Sequence, residues 1–136
     1  MCVANSARSQ LAEGLARKLF GEKVQIESAG SVPTTVNPFA IRVLKEIAID
    51  ISAHRSKSIE QLTSDFKANL DYVITLCAEE VCPVIISSAQ RLHWPLPDPA
   101  VKGEAEEAQL ARFRAARDEI MKRLNLFAAE IGIPLR

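Results

Sequence analysis

The chain has 136 residues, nearly half of them hydrophobic and a quarter charged, which suits one globular domain over residues 1–136. Its 17 basic and 17 acidic residues cancel, so it lacks the net positive charge of a general nucleic-acid or anionic-membrane binder. No apolar run approaches the ~20 residues of a spanning helix, and three widely spaced cysteines are not a disulfide framework, so a reduced, cytoplasmic monomer is expected.

In chain order, the loop "MCVANSA" leads into a helix capped by Ser9 and running to Phe20, with Leu11, Leu15 and Leu19 on one face and Gly21 as its stop. "KVQIESAG" alternates as a strand ended by Gly30. Asn37 and Pro38 read as cap and first-turn proline of a helix through "FAIRVLKEIAI". "SAHRSKSIEQL" is a polar loop with one helical turn. "DYVITLC" is an apolar, β-branched run, expected as a strand buried on both faces. "RLHWPL" is a short strand stopped by Pro95 and Pro97. A long helix over Glu104–Ile131 starts acidic and carries a packed stripe of Leu110, Phe113, Ile120 and Leu124, with a solvated basic face.

Alternating strands and helices predict an α/β fold with a parallel sheet covered on both faces. Such a sheet needs an apolar strand before its first loop. Only Met1 precedes Cys2, so the opening strand is expected upstream of Met1.

The first loop carries the chemistry. A loop entering a helix gathers backbone N–H groups and the positive end of the helix around one concave space, which suits a tetrahedral oxyanion. Arg8 adds a planar clamp. Positive potential favours the thiolate of Cys2, and Ser9 can donate its hydroxyl to that sulfur. The result is a nucleophile aimed at the centre of an oxyanion held by the backbone of Val3, Ala4, Asn5, Ser6, Ala7 and Arg8. No nucleotide P-loop pattern is present. Asp98 in "PLPDPA" sits in a proline-stiffened turn and is the candidate proton donor for a leaving oxygen.

With these residues assembled, the chain resembles the low-molecular-weight protein tyrosine phosphatases, whose marks are C-x5-R-S near the N-terminus and a late Asp-Pro: here Cys2 to Ser9 and Asp98-Pro99. Within that superfamily "CVANSARSQLAEG", "ESAG", "VNPFAIRVLKEIAIDISAHRSKSI", "CAEEVCP" and "HWPLPDPA" look most like the thioredoxin-coupled arsenate reductases. The resemblance implies a three-layer fold with a four-stranded parallel sheet. It implies attack of Cys2 on arsenate, with phosphate or sulfate as analogues, and protonation by Asp98. It implies a redox relay in which Cys77 and then Cys82 take up the disulfide, reduced by thioredoxin or by glutaredoxin with a small thiol. It also implies a loop shaped by Asn5, in some members with a potassium ion, and no tightly bound cofactor or metal. Only four residues separate Cys77 from Cys82, fewer than the family pattern.

Two other readings use the same residues. One is a phosphatase hydrolysing phosphate monoesters through a Cys2 phosphocysteine, with Cys77 and Cys82 as spectators. Ala100 after Pro99 offers such a substrate no aromatic wall. The other is a zinc-stabilised domain using Cys77, Cys82, His93 and His54.

Overall fold

The computed structural model describes residues 1–78 and 81–135. The elements are α1 (Arg8–Phe20), α2 (Pro38–Lys45), α3 (Ser64–Ala68), β1 (Tyr72–Thr75), β2 (Gln90–His93) and α4 (Glu106–Ile131). Strands β1 and β2 pair in parallel, Tyr72 opposite Gln90 through Thr75 opposite His93. Helices α1, α2 and α4 pack on one another. Their shared core holds Leu11, Leu15, Val43, Leu44, Phe113 and Ile120 away from solvent. Burial of such side chains at roughly 1.5–3 kcal/mol each is the main force holding the layers together.

α1 begins at Arg8 rather than after a Ser9 cap. Ala7 is its N-cap, with no side-chain bond. Ser9 is already helical, and its hydroxyl is engaged by Cys2 and Asn5 instead. Gly21, at φ 66°, ends the helix where expected.

α2 starts as read, with Asn37 Oδ1 accepting from Phe39 N at 2.9 Å and Pro38 in the first turn. It stops at Lys45, well short of Ile49. Ala48 turns left-handed at φ 64°, and Ile49 N returns to Leu44 O at 3.0 Å. This tucks Ile49 and Ile51 into the core. The helical period continued past Lys45 in the sequence, but burial of both isoleucines favours the turn.

Residues 24–29 form no ladder. Just after this segment, Gly30 forms an isolated parallel bridge with Ser58. Ser28 N donates to Glu13 Oε1 at 2.8 Å, and Gly30 N to Lys57 O at 2.9 Å. Among the described residues the hydrogen-bonded sheet is therefore the β1–β2 pair. β1 is not buried on both faces: Val73 is buried, while Tyr72, Ile74 and Thr75 are half-buried. β2 is mostly exposed, and one of its neighbours, Trp94, packs edge-on against Phe127. The polar stretch 52–62 holds the one helical turn expected of it, a 3-10 turn at Ile59–Gln61, and the short α3 follows before β1.

α4 starts at Glu106, and Glu104 lies just outside it, forked against Arg112 at 2.8 and 2.6 Å. The expected stripe is buried, extended by Ala116 and Phe127. Its basic face is not merely solvated. Arg114 and Arg117 reach Glu46 beyond the end of α2, and the hydrogen bond from Arg114 pulls the Glu46 carboxyl down to about 2. No helix among the described residues is long and apolar enough to cross a membrane.

The left-handed turn at Ala48 gives a stability prediction. A non-glycine residue there carries a penalty of roughly 1–2 kcal/mol that glycine avoids, partly offset by glycine's entropy. Ala48→Gly should raise the thermal midpoint by a few degrees in calorimetry; a lowered midpoint would contradict the turn.

Candidate active site

The first residues lie between two parts of the fold. On one side Leu76 N donates to Met1 O at 2.9 Å and the Met1 ammonium donates to Ile74 O at 2.5 Å. On the other, Val32 N and Thr34 N donate to the carbonyls of Val3 and Ala4 at 2.9 and 3.1 Å. Gly30 presses on the same backbone. A Cβ there would stand 2.2 Å from Val3 O and 2.7 Å from Cys2 O, so only glycine fits.

Every carbonyl from Val3 to Ala7 accepts a hydrogen bond. Val3 takes Val32, Ala4 takes Thr34, Ser6 takes Asn37 and Ala7 takes Leu11. Asn5 O takes Ser56 Oγ at 2.5 Å and Gln10 Nε2 at 3.3 Å. In a trans peptide the next N–H points opposite its carbonyl. With the carbonyls tied to the surrounding elements, the N–H groups of Ala4, Asn5, Ser6, Ala7 and Arg8 face the inside of the loop. The start of α1 adds its partial positive charge.

Asn5 holds this shape. It is fully buried and left-handed, at φ 47°. Its Nδ2 donates to Ser9 Oγ at 2.8 Å and Ser28 Oγ at 2.9 Å. Its Oδ1 accepts from Gln10 Nε2 at 2.9 Å and Lys57 N at 3.0 Å. Cys2 is buried, with its Sγ 2.9 Å from Ser9 Oγ. Arg8 Nη1 donates to Leu96 O at 2.8 Å and Leu76 O at 3.3 Å, which fixes the guanidinium between the ends of the two strands.

Cys2, Ala4, Ser6, Ala7, Arg8 and Asp98 line one cavity of about 420 Å³. Asp98 is at its exposed rim, with Oδ1 accepting from Ala100 N at 3.0 Å. Ala100 and Val101 also line it, Thr34, Asn37, Lys102 and Gln109 add polar groups to the wall, and no aromatic residue lines it. These four escaped the sequence reading. Asn37 carried only a capping signal, and Lys102 four residues after Asp98 was the one available hint of a cation at the mouth.

The three cysteines are all thiols. Cys77 is buried and directly follows Leu76, the partner of Met1, so Cys2 and Cys77 leave neighbouring strand ends. Cys82 is half-buried. Burial lowers the affinity of the Met1 ammonium for its proton, while Cys2, Cys77 and Cys82 each act on it in the opposite sense. Glu79 and Glu80 of the "AEEV" spacer fall outside the described residues.

Beneath the loop sits a cluster the sequence did not reveal. Glu13 is buried; Oε1 accepts from Ser28 Oγ at 2.6 Å and Lys57 Nζ at 3.2 Å, and Oε2 from Arg17 Nε at 3.1 Å. His54 Nδ1 lies 3.5 Å from Glu13 Oε2 and 3.3 Å from Gln10 Oε1. Burial opposes ionisation of Glu13, but Ser28, Lys57, His54 and Arg17 outweigh it and hold its carboxyl below the usual range. Burial, more than the pull of Glu13, keeps His54 below its usual value. The oxygens around Asn5 are thus taken by protein N–H groups and cations, and the set does not fit a potassium ion. His93 lies elsewhere, against Thr75 Oγ1 at 2.7 Å. Among the described residues no three His, Cys, Asp or Glu side chains converge as a metal site.

Comparison with known proteins decides the family. The family of low molecular weight phosphotyrosine protein phosphatases matches residues 1–133. The chain belongs to this family. One relative, an arsenate reductase of Halalkalibacterium halodurans, is 43% identical over 130 residues, covering 94% of this chain and 91% of the relative. A solved arsenate reductase in its phosphate-binding state superposes with a TM-score of 0.75 at 34% identity, covering 96% of this chain and 94% of that one. The thioredoxin-dependent arsenate reductase of Corynebacterium glutamicum has a TM-score of 0.71 at 31% identity, covering 96% of this chain and 59% of that one. The α/β architecture is that of the family.

The buried carboxylate gives a pH prediction. The folded chain holds the Glu13 carboxyl below its ordinary value of 4.5, so its contribution is complete above that pH and is lost as pH falls through the lower folded value. Glu13→Gln should cost about 1–3 kcal/mol at neutral pH and flatten the acid limb below pH 4.5. Denaturant titrations at several pH values test both, and an unchanged acid limb would contradict the assignment.

Proposed function

We propose that the chain reduces arsenate to arsenite with Cys2 as the nucleophile. The loop carries this reading: five carbonyls held outward around a buried thiol, with a second buried thiol, Cys77, directly after Leu76, the residue that bonds Met1. An inward set of N–H groups matches the oxygens of a tetrahedral anion, and such preorganised donors are worth about 10²–10³ in rate apiece. Arg8, fixed by Leu76 and Leu96, adds a bidentate cation, and Lys102 adds charge at the mouth. Similarity to arsenate reductases over most of the chain supports the substrate.

The chemistry balances as follows. The Cys2 thiolate attacks As(V), and an arsenic-bound oxygen leaves as water with a proton from Asp98. The Cys77 thiolate then attacks Cys2 Sγ. A sulfur–sulfur bond forms, the sulfur–arsenic bond breaks, and its electron pair stays on arsenic as arsenite. Cys82 attacks Cys77 Sγ and releases Cys2 as a thiolate, leaving a Cys77–Cys82 disulfide. An external dithiol protein of the thioredoxin class reduces that bond in a reducing, cytoplasmic setting, and glutaredoxin with a small thiol is the alternative donor. Ser9 steadies the Cys2 thiolate through the 2.9 Å contact. The loop works without a bound cation, because Lys57 and Arg17 already balance Glu13. The wall of the cavity offers an aryl phosphate no aromatic surface, which favours arsenate over a phosphotyrosine substrate.

Cys82→Ser tests the relay. With a thioredoxin system the variant should release about one arsenite per chain and stop with Cys2 bonded to Cys77, whereas the parent continues. Peptide mapping by mass spectrometry reads the bond. Undiminished turnover by the variant, or phosphate release from an aryl phosphate as the faster reaction of the parent, would contradict the reading.

A further inference from the structure

The stretch that follows Cys82 lies against the body of the protein by one face. Residues 81–89 form no helix or strand. Pro83 and Ile85 are buried, while Val84 and Ile86 are exposed. That alternation is the mark of an extended chain. Yet no ladder ties it down. Among the described residues, the peptide groups of 81–88 bond no other backbone group. The carbonyl of Ile85 is taken by a side chain instead: Arg91 Nη2 donates to it. Arg91 belongs to β2 and stands opposite Val73 of β1, so its backbone is fixed by the parallel pair.

Cys77 is held differently. It follows Leu76, whose N–H donates to Met1 and whose carbonyl accepts from Leu96 N and Arg8. One thiol thus sits on a fixed strand end. The other sits on a stretch whose far side is anchored by the buried Ile85 and the guanidinium on its carbonyl. The chain from Cys77 to Cys82 could span roughly 17 Å if extended. A disulfide needs Cα atoms about 4.4–6.8 Å apart. The intervening residues have to fold back, and the place where the far end is held sets how often they do. The effective concentration of one thiol at the other follows from that tether.

We propose that Arg91 is a positioning residue for the exchange between Cys77 and Cys82. By holding Ile85 O it keeps the far end of the loop against the sheet and Cys82 within reach of Cys77 Sγ. The inference rests on the relay read above. In that step the Cys82 thiolate forms a sulfur–sulfur bond with Cys77, the Cys2–Cys77 bond breaks, and Cys2 leaves as a thiolate. Arg91 acts through the Ile85 carbonyl and not on the sulfurs. Methionine at this position keeps an apolar stem and loses the donor, whereas lysine keeps a donor.

The test equilibrates the full chain with glutathione redox buffers, carrying Cys2→Ser throughout so that Cys77 and Cys82 form the only pair. Arg91→Met should lower the effective concentration of that pair at least tenfold, which raises its potential by about 30 mV. Arg91→Lys should recover part of the loss. With Cys2 restored, Arg91→Met should release its first arsenite within about twofold of the parent rate, while loss of the Cys2–Cys77 bond slows at least tenfold. An unchanged potential in Arg91→Met, beside a parent that closes the Cys77–Cys82 bond, overturns the proposal and leaves the relay standing. So does a lysine form no better than the methionine form, or an equal slowing of the first arsenite, which marks a general structural defect. A parent that never closes the Cys77–Cys82 bond overturns the relay and the proposal together.

Discussion

The direction in which five peptide units face is the constraint on which the site depends. A short loop left to itself has no reason to turn all its N–H groups inward, since that concentrates positive partial charge. Here the opposite ends of those units are captured one by one. Val32, Thr34 and Asn37 take three carbonyls from one side, Ser56 and Gln10 take a fourth, and the first turn of α1 takes the fifth. The cradle is thus an outcome of tertiary structure. Asn5 completes it by satisfying every hydrogen-bonding position of its amide while holding a left-handed backbone.

That arrangement sorts charge in a chain that carries none overall. The anion-facing side has amides, Arg8 and Lys102. The opposite side has the buried Glu13, matched by Lys57 and Arg17, with Ser28 linking it to Asn5. The carboxylate is held away from the cavity by the same asparagine that shapes the loop. An anion bound above meets the positive ends of the dipoles, and the one buried negative group below is already paired.

Topology sets Cys2 and Cys77 near one another. Met1 bonds to β1, so Cys2 and Cys77 leave adjacent strand ends, and Arg8 ties the end of β1 to the segment before Asp98 through Leu76 and Leu96. One guanidinium thereby links the first loop, the end of β1 and the segment before Asp98. Cys82 has the exposed Val81 and Val84 as neighbours in sequence.

Features carried by adjacent residues were legible in the sequence. The Cys2-to-Arg8 loop, the Asp98 turn, the stripe of α4 and the stop at Gly21 all follow from local pattern. Features set by distant partners were not. Ser9 resembled a cap because its type suits one, but Cys2 and Asn5 claim the hydroxyl. Residues 24–29 alternate like a strand, yet Ser28 N donates to the Glu13 carboxylate rather than to a ladder partner. Glu13, His54 and Lys57 lie far apart in sequence, and no spacing rule joins them. The family resemblance supplied the substrate and the order of the relay, which composition and periodicity do not contain.

The most direct measurement is the affinity of inorganic phosphate for Asn5→Gly beside the parent chain, by titration calorimetry. Glycine keeps the left-handed backbone and removes only the amide. If the tied loop makes the anion site, affinity falls at least about tenfold, which is ~1.4 kcal/mol, with the fold intact by circular dichroism. Unchanged affinity in a folded variant would contradict the account.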